Sequence, residues 1–227
     1  MPAEITVLSG GAMRRFMLEA VPLFERASGI KVALRFSPTR VLKAEIEAGA
    51  AFDVALLPRW AIDPLVAAGR IVGTPVDVVR SLVGLVIAAD ASKPDIAAAD
   101  ALKRVLRAAK SITYSKGPSG EHVAWLLRQL GLAAEMADKT VFAVGRTVAE
   151  VVAAGEAEVG MQQIIEILPV AGAQLVGPLP GELPNYVLYT AGIAAGALDN
   201  AQAKALVAAL RSPEAVRLIR AVGAAPA

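Results

Sequence analysis

Cysteine is absent from this sequence of 227 residues, and histidine occurs once, as His122. Without cysteine there can be no disulfide bond, thiolate zinc site, iron–sulfur cluster or cysteine nucleophile. One histidine is also too few for a histidine-rich metal site. The composition therefore indicates neither a metal site nor a cofactor.

Aromatic residues are scarce, at 4% of the chain, and the charges nearly balance, with Lys+Arg 23 against Asp+Glu 21. Because the chain has no basic block and few rings for base stacking, we expect no nucleic-acid partner. No apolar run approaches the roughly 20 residues that span a bilayer. The opening residues MPAEITVLSGG do not resemble a signal peptide, so either the protein is cytoplasmic or a signal peptide has been removed.

Apolar residues are abundant, at 56% against 19% charged, so the chain can bury a large core. Strand-like and helix-like segments alternate along it. Residues 12–28, for example, have apolar residues at helical spacing and are followed by Gly29, a typical residue after a helix end. This alternation predicts an α/β fold whose parallel sheets are covered by helices.

The alternation forms two series of similar length, with strands that cross between them near Leu82 and Tyr186. This order predicts two lobes, one made of residues 1–80 plus 185–227 and the other of residues 81–184. In such folds small ligands bind at the carboxyl ends of strands. We therefore expect a ligand cleft between the lobes.

Five segments resemble one protein family in their order and spacing: ITVLSGGAM, LKAEIEAGAAFDVAL, GPSGEHVAWLLRQLGL, VVAAGEAEVG and AKALVAALRSPEAVRLIRAVG. From Ile5 to Gly223 the chain resembles the periplasmic molybdate-binding component of ABC transporters, a type II solute-binding protein. The resemblance implies a two-lobed periplasmic-binding-protein-like fold with a hinged cleft. It implies a periplasmic protein that captures a small oxyanion and has a permease as partner. We expect a monomer.

The resemblance also implies that the anion is bound by neutral donors, namely hydroxyl groups and backbone N–H groups at helix N-termini. In the first half of the chain, Ser9 and Gly10 precede Ala12, where the family usually has a serine hydroxyl. Thr39 retains the family's second hydroxyl. Arg40 replaces a small residue, and is interpreted either as a fork that binds a ligand carboxylate or as a solvated arginine at the rim.

In the second half, the resemblance assigns backbone donors to Ser119 and Gly145, and Ser119 also resembles a helix N-cap. Gln163 stands where the family often has a tyrosine. All of these residues are expected to converge on one pocket. The predicted ligand-binding residues are Ser9, Gly10, Ala12, Thr39, Arg40, Ser119, Gly145 and Gln163.

Other functions stay open at this point. We expect no enzyme, but a hydrolase would have Ser119 as nucleophile and His122 as base, three residues apart on one helix. The effector domains of LysR-type regulators share the two-lobed architecture, although no helix-turn-helix is attached here to bind DNA. A free cytoplasmic sensor of anions or small carboxylates is therefore an alternative. The changes at Ala12 and Gln163, with Arg40, predict an anion other than molybdate.

Overall fold

The computed structural model describes residues 4–181, 185–197 and 200–227, and for Pro118 the backbone alone. Within these residues helices and strands alternate, which confirms the α/β prediction. The chain divides into two compact units. The first unit runs up to Arg80 and resumes over Leu188–Ala227, and the second unit is Ser81–Val187.

The first unit is built around strand β1, which pairs in parallel with β2 on one side and β3 on the other. Strand β9 lies antiparallel to β3, and β10 is antiparallel to the first part of β4. The elements are β1 (Glu4–Gly10), α1 (Arg14–Ser28), β2 (Lys31–Ser37), α2 (Thr39–Glu47), β3 (Val54–Pro58), α3 (Arg59–Ala67), β4 (Ile71–Ala88), then β9 (Tyr186–Ala194), α9 (Ala201–Ala209), α10 (Pro213–Ala221) and β10 (Ala225–Pro226).

Apolar patterning explains these elements. Every residue of β3 is buried, as expected of a central strand covered on both faces. Helix α1 buries one face, which includes Phe16, Ala20 and Phe24, and it ends at Gly29 with a left-handed φ of 72°. A 3-10 turn over Gly11–Met13 joins β1 to α1.

The second unit has its own sheet, in which β5 is parallel to β6 and β7, while β4 is antiparallel to β7 and β8. Its core includes Leu102, Leu106, Val123 and Leu126. The elements are α4 (Ala99–Ala108), β5 (Ile112–Ser115), α5 (Pro118–Gln129), α6 (Ala133–Ala137), β6 (Thr140–Ala143), α7 (Val148–Ala153), β7 (Val159–Gln163), α8 (Ile164–Ile167) and β8 (Ala173–Pro178).

Strand β4 is longer than its apolar run indicated, because it begins at Ile71 and not at Leu82. Gly73 and Pro75 interrupt the apolar pattern of its first part, although the strand itself is continuous, and these residue types are uncommon inside strands. The unit boundary falls within this strand, after Arg80. Among the described residues, no helix has the length and apolar character that a membrane crossing requires.

Candidate functional site

In the first unit, the carboxyl ends of β1, β2 and β3 meet at one edge of the sheet, because the three strands are parallel. The strands end at Gly10, Ser37 and Pro58, and each is followed almost at once by a helical segment. Helices α2 and α3 have no acidic residue in their first turns. Their unpaired N–H groups and positive dipole ends therefore suit an anion.

Thr39 is the best-placed hydroxyl donor at this edge. It is the first residue of α2 and is 7% exposed. A Cβ atom built on Gly10 would lie 3.2 Å from the Thr39 hydroxyl and 3.6 Å from the ring of Tyr189. Within the described part of the chain, no hydrogen bond engages the Thr39 hydroxyl. Gly10 thus leaves room beside a hydroxyl that can donate to a ligand.

Ser9 and Ala12 contribute less than Thr39 at the same edge. Ser9 is fully buried, and its hydroxyl donates a long hydrogen bond of 3.4 Å to the carbonyl of Gly10. Ala12 lies in the 3-10 turn between β1 and α1 and is partly exposed. Its side chain has no polar atom, so it can offer a ligand only its backbone.

Arg40 is the exposed second residue of α2, and its guanidinium carbon lies 5.8 Å from the centre of the Trp60 ring. This distance is within the range of a cation–π contact. Trp60 belongs to the first turn of α3, so the contact holds the Arg40 charge beside the first turns of both helices. No local sequence pattern connects Trp60 with Arg40, because the two residues are 20 positions apart.

Arg59, also at this edge, is held by two carboxylates. Its Nε donates to Asp63 at 2.6 Å and its Nη1 to Asp77 at 3.0 Å, while the Thr190 hydroxyl donates to Asp77 at 2.7 Å. The hydrogen bond with Asp63, followed by that with Asp77, raises the pKa of Arg59. Its charge is therefore compensated within the unit.

In the second unit, α5 starts directly at the end of β5. The Ser119 hydroxyl lies 3.4 Å from that of Ser115, which also accepts a hydrogen bond of 3.2 Å from the Gly117 N–H. The prediction of Ser119 as N-cap is wrong, because the helix begins at Pro118 and Gly117 is the N-cap. Proline suits the first helical position, which moves the start two residues earlier. Ser119 therefore offers a first-turn N–H and a buried hydroxyl.

Gly145 lies in an exposed loop between β6 and α7, with a left-handed φ of 74°. The start of α7 is largely satisfied internally. Thr147 and Glu150 form a capping box, in which the Thr147 N–H followed by the Thr147 hydroxyl lowers the pKa of Glu150. The Ala149 N–H donates to Gln162 at 3.1 Å. Arg146 is paired with Glu156, which fixes the loop. The loop thus offers a ligand its backbone around Gly145.

Gln163 ends β7 and is 4% exposed. Its Nε2 lies 3.4 Å from Oε2 of Glu166, and its Oε1 is buried without a hydrogen-bond partner among the described residues. Burial raises the pKa of Glu166 to about 7, and hydrogen bonds from Gln162 and Gln163 oppose that rise. Sequence reasoning missed Glu166, although a lone acidic residue in the apolar stretch IIEIL was a signal that could have found it.

Ser119 and His122, the two residues of the hydrolase alternative, each contact another side chain. The ring of His122 stacks on Trp125, with 5.8 Å between ring centres, while the Ser119 hydroxyl is paired with Ser115.

Residues 5–224 match the sequence model of a family described as bacterial extracellular solute-binding proteins. The chain belongs to this family. A relative named aconitate isomerase, from Pseudomonas sp., is 30% identical over 98% of this chain and 87% of its own length.

Solved structures agree with the fold of a solute-binding protein. A substrate-binding domain assigned to a molybdenum ABC transporter from Clostridium difficile has a TM-score of 0.82 at 19% identity, covering 99% of both chains. The periplasmic molybdate-binding protein of Azotobacter vinelandii scores 0.77 at 21% identity, covering 97% of this chain and 98% of that one. A tungstate-binding protein from Desulfovibrio alaskensis scores 0.77 at 14% identity, covering 99% of both. The prediction of a two-lobed periplasmic-binding-protein fold is thus confirmed.

Proposed function

We propose that this solute-binding protein captures a small anion and delivers it to the permease of an ABC transporter. The observation that carries the proposal is the Thr39 hydroxyl, which is nearly buried beside Gly10 at the start of α2 and has no partner of its own in the described chain. A donor held in this way, next to the unpaired N–H groups of a helix, is suited to an anion.

The proposed ligand-binding residues come from both units. Thr39 and Ser119 combine a hydroxyl with a first-turn N–H group, and Gln163 adds a buried amide. In the first unit the set is Ser9, Gly10, Ala12, Thr39 and Arg40, and in the second unit it is Ser119, Gly145 and Gln163. Variants at these positions that weaken anion binding would support the assignment.

Location and assembly follow from the proposed role. Because the family is described as extracellular, we infer that the protein works in the periplasm, as a monomer that meets its permease transiently. A free cytoplasmic sensor is the alternative, and fractionation of the native cells distinguishes the two.

The chemistry around Thr39 favours a carboxylate over a tetrahedral oxyanion. Ala12 supplies no hydroxyl, and Arg40 adds a planar cation beside the helix starts. A guanidinium matches a carboxylate with two parallel hydrogen bonds. The relatives named for molybdate and tungstate leave the oxyanion as the competing ligand.

Isothermal calorimetry with molybdate, tungstate, sulfate, citrate and trans-aconitate tests the proposal and the ligand class together. The Arg40→Ala variant should bind the carboxylates roughly tenfold to hundredfold more weakly, because a charged hydrogen bond is lost. Its affinity for molybdate should be unchanged. Arg35→Ala is the matched control, because Arg35 is an exposed arginine of the same unit that is paired with Glu45. Tight molybdate binding with no carboxylate signal would refute the carboxylate assignment, and absence of heat with every anion would refute the function.

A second candidate is an isomerase of a small unsaturated tricarboxylate, as the name of the 30% identical relative suggests. Such a reaction needs a group that takes and returns a proton near neutral pH. Among the described carboxyl groups with a shifted pKa, Glu166 alone is raised, to about 7. Purified protein should then interconvert cis- and trans-aconitate, which proton NMR can detect. The Glu166→Gln variant should lose turnover but still bind the substrate. No turnover by the native sequence would dismiss this candidate.

A further inference from the structure

The amide of Gln163 is oriented unfavourably for an anion site. Its donor, Nε2, lies 3.4 Å from a carboxylate oxygen of Glu166, while its acceptor, Oε1, is buried without a partner among the described residues. A buried carbonyl oxygen without a donor is costly and calls for an explanation. An anion that offers only acceptors and contacts this amide would be repelled by Oε1, so it would need the amide in the opposite orientation.

Reversal of the Gln163 amide would remove the repulsion between Oε1 and the anion, but it would place Oε1 against the Glu166 carboxylate. The two ends of an amide are of similar size, so the reversal needs no extra room. Nε2 would then take the place of Oε1 and offer a donor there, and Oε1 would lie against Oε2 of Glu166. Two acceptors in contact repel each other, unless Glu166 is protonated and donates its O–H to Oε1.

Glu166 is suited to take up that proton. In the described chain, β7, β8 and α7 are the elements packed most closely against α8, and β7 and β8 carry no titratable residue. The part of β4 that lies in this unit, residues 81–88, carries none either. The one acidic residue of α7, Glu150, is held by Thr147. Burial, rather than a neighbouring charge, is the main reason that the pKa of Glu166 rises to about 7.

We propose that Glu166 is a positioning residue for anion binding: when an anion binds, Gln163 reverses its amide and Glu166 takes up one proton from solvent. This inference rests on the proposed function, because it requires Gln163 to contact the anion. Capture would then be coupled to protonation. Affinity should be highest at acidic pH and fall as pH rises through about 7, since the competent, protonated fraction shrinks.

The size of the effect follows from the titration of one group. With a pKa of about 7, Glu166 is mostly protonated at pH 6 and roughly one-tenth protonated at pH 8, so the apparent affinity should drop roughly tenfold over that range. Glu166→Gln mimics the protonated form, because its amide NH2 can donate to Oε1 of Gln163 at any pH. This variant should bind with the acid-pH affinity of the native protein throughout.

Isothermal calorimetry with molybdate, and separately with trans-aconitate, at pH 6, 7 and 8 tests the coupling. Titrations at pH 8 in two buffers of different ionisation enthalpy measure proton uptake, which should approach one per bound anion in the native protein and vanish in Glu166→Gln. Glu135→Gln is the control, because Glu135 is an exposed glutamate of the same unit that is paired with Arg107. Protonation of the anion used as probe would contribute equally in the native protein, Glu166→Gln and Glu135→Gln, so the difference between them reports on Glu166.

The outcomes separate the inference from the proposed function. Anion binding without proton uptake, or with the same pH profile in Glu166→Gln as in the native protein, would overturn the inference and leave anion capture intact. Absence of heat with either probe at every pH would instead count against anion capture, and the inference would fail with it. Absence of proton uptake by the native protein needs no variant to be measured, so it would overturn the inference even if Glu166→Gln does not fold.

Discussion

Gly120→Ala should separate the start of α5 from the end of β5. A Cβ atom at this position would lie 1.6 Å from the carbonyl oxygen of Ser115, whereas ordinary contact begins near 3.4 Å. The backbone must therefore move by about 1.8 Å, the difference between these distances. No side-chain rotation relieves the clash, because the atom in the way belongs to the backbone of a strand.

The displacement should affect both stability and binding. Helix α5 contributes Val123, Leu126 and Leu127 to the core of its unit, so a shift at its start disturbs that packing. We expect a loss of about 3 kcal/mol in the free energy of unfolding, the upper part of the range for overpacked sites. The Ser119 N–H moves with the helix, so anion affinity should fall roughly tenfold to hundredfold.

Urea unfolding followed by circular dichroism, with anion calorimetry beside it, measures both effects. Gly117→Ala in the same loop is the matched control: a Cβ atom there would meet its nearest neighbour at 3.6 Å, and the φ of −87° suits any residue. That variant should change stability by no more than about 1 kcal/mol. If Gly120→Ala matched Gly117→Ala in both assays, the reasoning about this contact would be refuted.

Three further predictions concern single side chains. Thr39→Val should weaken anion binding roughly tenfold, from the lost hydroxyl donor, with little change in urea stability; equal affinity would remove Thr39 from the site. Gly10→Ala should weaken anion binding less than Thr39→Val does, because its Cβ atom would lie only 3.2 Å from the Thr39 hydroxyl but would leave that donor in place. Calorimetry of both variants compares their affinities. Because burial raises the pKa of Glu166 from 4.5 to about 7, the folded protein holds this proton more tightly than the unfolded chain. Its stability should therefore fall by about 3 kcal/mol as pH rises through this interval, and Glu166→Gln should lack the fall in urea titrations at pH 5 and pH 8.

Local sequence patterns indicated the alternation of strands and helices in the first unit. Gly10 is the last residue of the short strand β1 and Thr39 is the first residue of the amphipathic helix α2, so their places in the fold depend on neighbours in the sequence. The N-cap of α5 was predicted wrongly, since Pro118 at the first helical position outweighed the capping tendency of Ser119.

The remaining features depend on contacts between distant segments. The Thr190 hydroxyl donates a hydrogen bond to Asp77, which is 113 positions away in the sequence, so no local pattern predicts this contact. Burial of Glu166 likewise depends on how α8 packs against β7 and β8. The pKa of this carboxyl, and with it the proposed coupling to protons, could therefore be inferred only from the folded chain.

The unpartnered Oε1 of Gln163 also bears on the choice of ligand. An anion that carries its own O–H or N–H group, such as a hydroxycarboxylate, could donate to this oxygen without reversal of the amide and without a proton on Glu166. A fully ionised oxyanion such as molybdate has no proton to give, so it must recruit one through Glu166. Citrate, which has a hydroxyl group, should therefore bind with less proton uptake than trans-aconitate, which has none. This difference would identify Gln163 as the residue that distinguishes anions with a hydrogen-bond donor from anions without one. Equal proton uptake with citrate and trans-aconitate would exclude this role for Gln163.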